Sequence, residues 1–297
     1  VGTSTAWPGP RGGPWSTARR QLTQWRPDRD RGRAELLDGI AERYLRALHQ
    51  TLRDDPSAFG LRDAARAAGE RLTDTLGSLA TQCPASAEAL LARLATEVGG
   101  DGGTVADAVT RAAALAAGRA ALERHPTLRA DLSDGAEGRN DGRAPAGPGL
   151  PSDILCLLYR LFFAETVAGF LRSVVAEHIT LAVPPLLAID AVGWFADPDG
   201  RFAEFVAERV EPLVPDPCEA AAGVVGPVGG GGFGDLVGDA FGDVVGGAFG
   251  SGEADEPGAG AASGAGVLAT ARRLVPTAVD RVLGLITEPG GEEGEVA

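Results

Sequence analysis

The stretch from Ile154 to Val183 constrains the fold of this chain more than any other part of the sequence. Its apolar residues (Leu155, Leu157, Leu158, Leu161, Phe162, Phe163, Val167, Phe170, Leu171, Val174, Val175, Ile179 and Leu181) fall on nearly every face of a helix. A helix that is apolar all round has to be surrounded by other elements or by lipid. Arg160, Glu165, Arg172 and Glu177 interrupt the run too often to leave about 18 uncharged residues for a membrane span. The segment therefore predicts the central helix of a water-soluble bundle, opened by Ser152-Asp153 and closed by Pro184-Pro185.

The flanking sequence supplies the helices that would surround it. Apolar residues recur at helical spacing in Leu37, Ile40, Ala41, Tyr44, Leu48 and Leu52, and again in Leu61, Ala65, Ala68, Leu72, Leu76 and Leu79. The second of these faces is lined with small residues, which would let another helix approach closely. A third helix is expected over Ala87–Val98. Thr104 is the expected N-cap of a fourth that runs to Arg124. A short basic amphipathic piece covers Ser16–Arg26. One or two amphipathic segments lie around Trp194, Phe195, Phe202 and Phe205, and a last apolar piece runs from Val267 to Ile286. Ala and Leu dominate the apolar fraction of 44%, and both lose little on entering a helix. The expected class is all-α: an irregular helical bundle around a central apolar helix.

Domain limits follow from composition. Residues 1–15 read as a flexible N-terminal leash, because Pro8, Gly9, Pro10, Gly12, Gly13 and Pro14 cannot continue a helix or a central strand. Residues 16–214 form the helical domain, with a Gly/Asp/Arg/Pro-rich loop at 133–149. Residues 215–266 read as a Gly-rich low-complexity tail in which Gly234, Gly238, Gly242, Gly246 and Gly250 recur every fourth position beside Asp235, Asp239 and Asp243. Residues 267–287 are the expected C-terminal helix, and 288–297 an acidic disordered end.

Charge is distributed unevenly. Up to Val183 the chain holds 22 arginines and 22 acids; beyond it 5 arginines face 19 acids, which accounts for the whole formal charge of −14. Such a tail repels nucleic acid, and no basic, aromatic-studded surface is evident. Cys83, Cys156 and Cys218 are odd in number and far apart, which suggests neither a zinc spacing nor a disulfide framework and fits a reducing, cytoplasmic setting.

No constellation suggests catalysis. His49, His125 and His178 sit on different expected elements without a partner at ligand or triad spacing, and read as surface or helix-terminal residues. Asp54-Asp55, directly before Pro56, suits a helix cap better than a carboxylate pair. The glycine runs 99–103 and 229–234 lack the Lys-Ser/Thr of a phosphate loop. No cofactor or metal site is expected, and the chain reads as one acted upon or bound rather than as an enzyme.

The N-terminus is the exception to this blandness. Val1 stands in a chain without methionine, which suggests a non-AUG start, and Gly2 behind the initiator is small enough to permit trimming. Processing would then leave a free α-amine on Gly2, with a pKa near 8 and hence a useful nucleophilic fraction.

Several segments in order carry a resemblance. They are the start Gly2-Thr3-Ser4 with its Gly/Pro-rich leash and Ala18-Arg19-Arg20-Gln21-Leu22-Thr23; Tyr44-Leu45-Arg46-Ala47-Leu48; Asp63-Ala64-Ala65-Arg66-Ala67-Ala68-Gly69; Gly102-Gly103-Thr104-Val105 through Ala113; and Asp153-Ile154-Leu155-Cys156 through Glu177-His178-Ile179. From Gly2 to about Val183 the chain resembles the QatB family, a component of Qat anti-phage defence systems; the Gly/Asp-rich tail departs from it. The resemblance implies three neighbours: a deazaguanine-synthase-like protein (QatC-type), a P-loop ATPase and a TatD-like nuclease. It implies that the synthase-like partner joins a deazaguanine to the Gly2 amine through an amide, with Thr3 and Ser4 in recognition and Trp7 and Trp15 anchoring the leash. The alternatives are a helical scaffold that bridges the other defence subunits, and a membrane-acting effector that uses Ile154–Val183.

Overall fold

The computed structural model describes residues 9–24, 34–99, 103–137, 149–182, 201–224 and 264–286. The α-helices among them are α1 (Gly13–Gln24), α2 (Ala34–Asp54), α3 (Leu61–Thr81), α4 (Ala87–Val98), α5 (Val105–Arg124), α6 (Pro126–Glu137), α7 (Ser152–Ala182), α8 (Arg201–Val210), α9 (Pro217–Val224) and α10 (Gly264–Val282). Short 3-10 turns at Ala58–Gly60 and Glu211–Leu213 join them, and there is no strand among the described residues. The all-α expectation is met.

Helix α7 is the axis of the bundle. Leu158, Tyr159, Phe162, Phe163, Val167, Leu171 and Val174 are fully buried, enclosed by α5, α8, α3 and α10. Over Ser152–His178 it is long and apolar enough to cross a membrane, yet 78% of its most apolar window lies inside the protein. It packs as the core helix of a globular body.

Local chemistry explains the boundaries. Thr104 Oγ1 accepts from the Asp107 backbone N–H at 3.1 Å while the Asp107 carboxylate accepts from the Thr104 N–H at 3.1 Å, so a reciprocal capping box starts α5 at the expected residue. Ser86 caps α4 in the same sense by accepting from the Ala89 N–H at 3.1 Å. After α2, Asp55 accepts from the N–H and hydroxyl of Ser57, which fixes the turn into α3. The small-residue face of α3 admits close neighbours, since a Cβ at Gly69 would stand 2.8 Å from Phe163 Cζ and 2.9 Å from Val275 Cγ1.

Several boundaries differ from expectation. The segment 126–137 is helical, so residues 133–137 of the expected loop belong to a helix; Pro126 occupies the first helical position, where its fixed φ and missing N–H cost nothing. Ser152 is the first residue of α7 rather than its cap. The tail expected from 215 starts with a helix, because Asp216 accepts the Cys218 N–H at 2.8 Å and Pro217 follows as the first helical residue. The C-terminal helix starts at Gly264 instead of 267 and ends at Val282 instead of 287. The cysteines correct a larger expectation: Cys156 and Cys218 form a disulfide with Cα atoms 6.1 Å apart, and Cys83 takes no part in it. Sixty-two residues separate the pair, so no local spacing announced it. The glycine tetrads, Trp194, Phe195 and the acidic end lie outside the described residues.

Candidate functional site

The amino-terminal segment docks on the body before α1 begins. Gly9 sits at φ +62°, in the left-handed region, and a Cβ there would meet Glu177 Cγ at 3.1 Å and His178 Cδ2 at 3.7 Å. Pro10 is buried, and its carbonyl accepts a hydrogen bond from His178 Nε2 at 3.0 Å. The leash expected over 1–15 is therefore anchored from Gly9 onward.

Partner chemistry sets the state of His178. A carbonyl can only accept, so Nε2 carries the proton and Nδ1 accepts from the Tyr44 hydroxyl at 2.9 Å. The ring is neutral and both nitrogens are satisfied. Burial is the largest influence on it and disfavours the charged form; the Pro10 bond opposes this, Arg19 adds to it, and the net pKa falls below the ordinary histidine value. Burial likewise raises the Tyr44 hydroxyl above the usual tyrosine range and keeps it a donor. The expectation of a surface or helix-terminal His178 is overturned: only 2% of the residue is exposed.

Trp15 completes the dock as α1 folds over α2. Its indole N–H donates to Thr51 Oγ1 at 2.7 Å, and Thr51 in turn donates to the Ala47 carbonyl at 2.8 Å. The ring is 3% exposed and makes edge contacts with Tyr44, Phe59 and His178 at centroid distances of 6.1, 6.2 and 6.5 Å. Trp15 is thus an anchor of the amino-terminal segment. Trp7 and the expected site residues Gly2, Thr3 and Ser4 lie outside the described residues.

The remaining histidines are not brought together with it. His49 Nε2 donates to the Val282 carbonyl at 3.0 Å, and its pKa falls, mainly through burial. His125 is the C-cap that follows α5, its backbone N–H donating to the Ala121 carbonyl.

A second polar centre lies across the bundle. Glu211 accepts from Arg124 at 3.0 and 2.9 Å and from Arg160 at 2.6 Å, while Arg160 also reaches Asp216 at 3.1 Å. Burial works against ionising Glu211, but the bonds from Arg124 and Arg160 outweigh it and hold the carboxyl below its ordinary range. A cleft of about 470 Å³ opens here, lined among others by Arg160, Glu208, Glu211, Asp216 and Glu219. The disulfide Cys156–Cys218 adjoins it through Asp216.

Sequence periodicity held a signal for His178 that composition hid. Val167, Leu171, Val174 and His178 continue one core stripe at intervals of four, three and four. Tyr44 likewise occupies the stripe of Ile40, Ala41 and Leu48. No protein-family model, curated protein or solved structure matches the chain.

Proposed function

We propose that this protein is a non-enzymatic component of an anti-phage defence system that presents Gly2 as the acceptor of a covalent modification. The observation that supports this reading is the dock at Gly9–Pro10, where the amino-terminal segment is held by His178 and followed by the Trp15 anchor. Beyond the dock, seven residues from Gly2 to Pro8 can reach about 25 Å when extended. Such a tether is long enough to enter a partner's active site while the body stays outside.

The partner would be a deazaguanine-synthase-like protein, with the ATPase and nuclease of the same system as further associates. In the reaction, ATP adenylates the deazaguanine carboxylate and releases pyrophosphate. The neutral Gly2 amine attacks the acyl carbon, the C–O bond to AMP breaks, and the amine loses a proton as the amide forms. Glycine suits the acceptor position because no Cβ obstructs the approach, and Thr3 and Ser4 would supply recognition hydrogen bonds.

Intact mass and the N-terminal peptide, measured for the protein expressed with its genomic neighbours and without them, test the proposal. A mass increment on Gly2 that depends on the synthase-like neighbour is the expected result. An unmodified Gly2 in its presence would favour the scaffold reading, in which deletion of residues 2–8 leaves subunit association intact.

A further inference from the structure

We propose that Cys156, Cys218 and Asp216 form a redox-gated site for a thiophilic divalent cation, with zinc as the natural occupant. One ligand atom from each lies within 4.8 Å of the others. A tetrahedral ion with metal–sulfur bonds of about 2.3 Å holds two thiolates roughly 3.8 Å apart. Reduction frees the two sulfurs to take that separation.

The elements that carry the ligands are already fixed. Cys156 stands near the start of α7 and Cys218 at the second residue of α9. Asp216 caps α9, its Oδ1 held by the Cys218 N–H and its Oδ2 by Arg160. Two thiolates and a carboxylate leave one position of a tetrahedron open, and soft sulfur donors select zinc over calcium or magnesium. The cleft lined by Asp216 offers an approach from solvent, and its acids Glu208, Glu211, Asp216 and Glu219 outnumber Arg160 and Arg281, a balance that favours a cation. The cleft is bounded by residues of α7, α8, the turn at Glu211–Leu213, α9 and α10, and it meets the ligand set at Asp216.

The gate is the disulfide itself, because the bridged sulfurs carry no thiolate to offer. A dithiol reductant attacks Cys218, the more exposed of the two sulfurs, and expels the Cys156 thiolate. The second thiol of the reductant then displaces Cys218. Two electrons pass to the protein, the reductant becomes a disulfide, and both cysteines take up protons. Zinc binding releases those two protons and ties α9 to α7 again, now through the metal.

Cobalt titration of the full chain tests the site, because thiolate ligation gives a charge-transfer absorption in the near ultraviolet that carboxylates do not. The protein is compared air-oxidised and after treatment with a phosphine, which reduces the bridge without itself offering thiols to the metal. One equivalent of cobalt, displaced by zinc, is expected in the reduced protein, and none in the oxidised protein, which serves as the folded control. Cys218→Ser should abolish the signal, Cys83→Ser should keep it, and Asp216→Asn should weaken binding by about tenfold or more. Absence of the absorption in reduced protein would overturn the proposal. So would a signal that follows Cys83 instead of Cys218, and so would unchanged affinity in Asp216→Asn, because the three-ligand site requires the carboxylate.

Discussion

At Tyr44 the loss of a single oxygen isolates a buried nitrogen. Tyr44→Phe keeps the ring contacts with Trp15 and Phe202 but leaves His178 Nδ1 without its donor. Stranding a buried acceptor costs about 1–3 kcal/mol, so the denaturant midpoint should fall while the slope stays constant. The same histidine sets a pH dependence. Its folded pKa lies below the unfolded value, so its contribution is complete above about pH 6.5 and is lost as pH falls through the folded pKa. Arg19 pushes in that direction and Glu177 against it, while Tyr44 must lose its acceptor when the ring charges. Urea unfolding at about pH 7.5 and pH 5.5 should show a larger acid loss in the wild type than in His178→Gln, which does not titrate. Equal losses would place the acid sensitivity elsewhere. Glu211 offers the contrasting case of a carboxylate with both oxygens paired to arginines. Glu211→Gln should destabilise by about 1–3 kcal/mol, discounted because Arg124 and Arg160 remain partly in solvent.

Helices show which parts of a sequence announce themselves. Thr104 and the stripes of α2, α3 and α7 were legible, because caps and periodicity act within a few residues of chain. Asp216-Pro217-Cys218-Glu219 carried the same kind of signal for α9, an N-cap followed by proline and an acid, but the glycine-rich composition beyond it obscured the start. The bridge from Cys156 to Cys218 and the bond from His178 to Pro10 were not legible. They join residues 62 and 168 positions apart, and only the packing of whole helices sets them. Gly69 lies between these cases: its small-residue face was readable, its neighbours were not. Replacing it by alanine gains about 1 kcal/mol of helix propensity. The new methyl would stand 2.8–2.9 Å from Phe163 and Val275, both fully buried and unable to retreat, and such overpacking costs about 1–3 kcal/mol. Gly69→Ala should therefore lower the melting temperature, whereas Gly77→Ala, with nothing nearer than a Leu268 methyl at 3.9 Å, should raise it slightly.

Across the whole molecule, both ends of the described chain close on α2. From one side Trp15 bonds to Thr51, and Pro10 reaches Tyr44 through His178. From the other, the Val282 carbonyl accepts from His49 and the Gly284 carbonyl accepts from Arg53 at 2.9 Å. Helix α10 thereby acts as a structural wall, filling the groove between α3, α7 and α9 and clamping α3 through the two bonds from Arg62 to Asp280 at 2.8 and 2.9 Å. A chain ended before Gly264 would lose the burial of Val267, Val275, Val279, Val282 and Leu283 and would bare the α3 and α7 faces beneath them. At about 1.5–3 kcal/mol for each large apolar side chain, the loss is roughly 8–15 kcal/mol, comparable to the entire stability of an ordinary domain. The truncated protein should lose its near-ultraviolet circular dichroism and its cooperative thermal transition. Arg272→Ala, which removes an ion pair more than half in solvent, should shift that transition only marginally. A truncated chain that still melts cooperatively would show that α10 is a detachable appendage, and the remaining helices would then have to close over Phe163 without it.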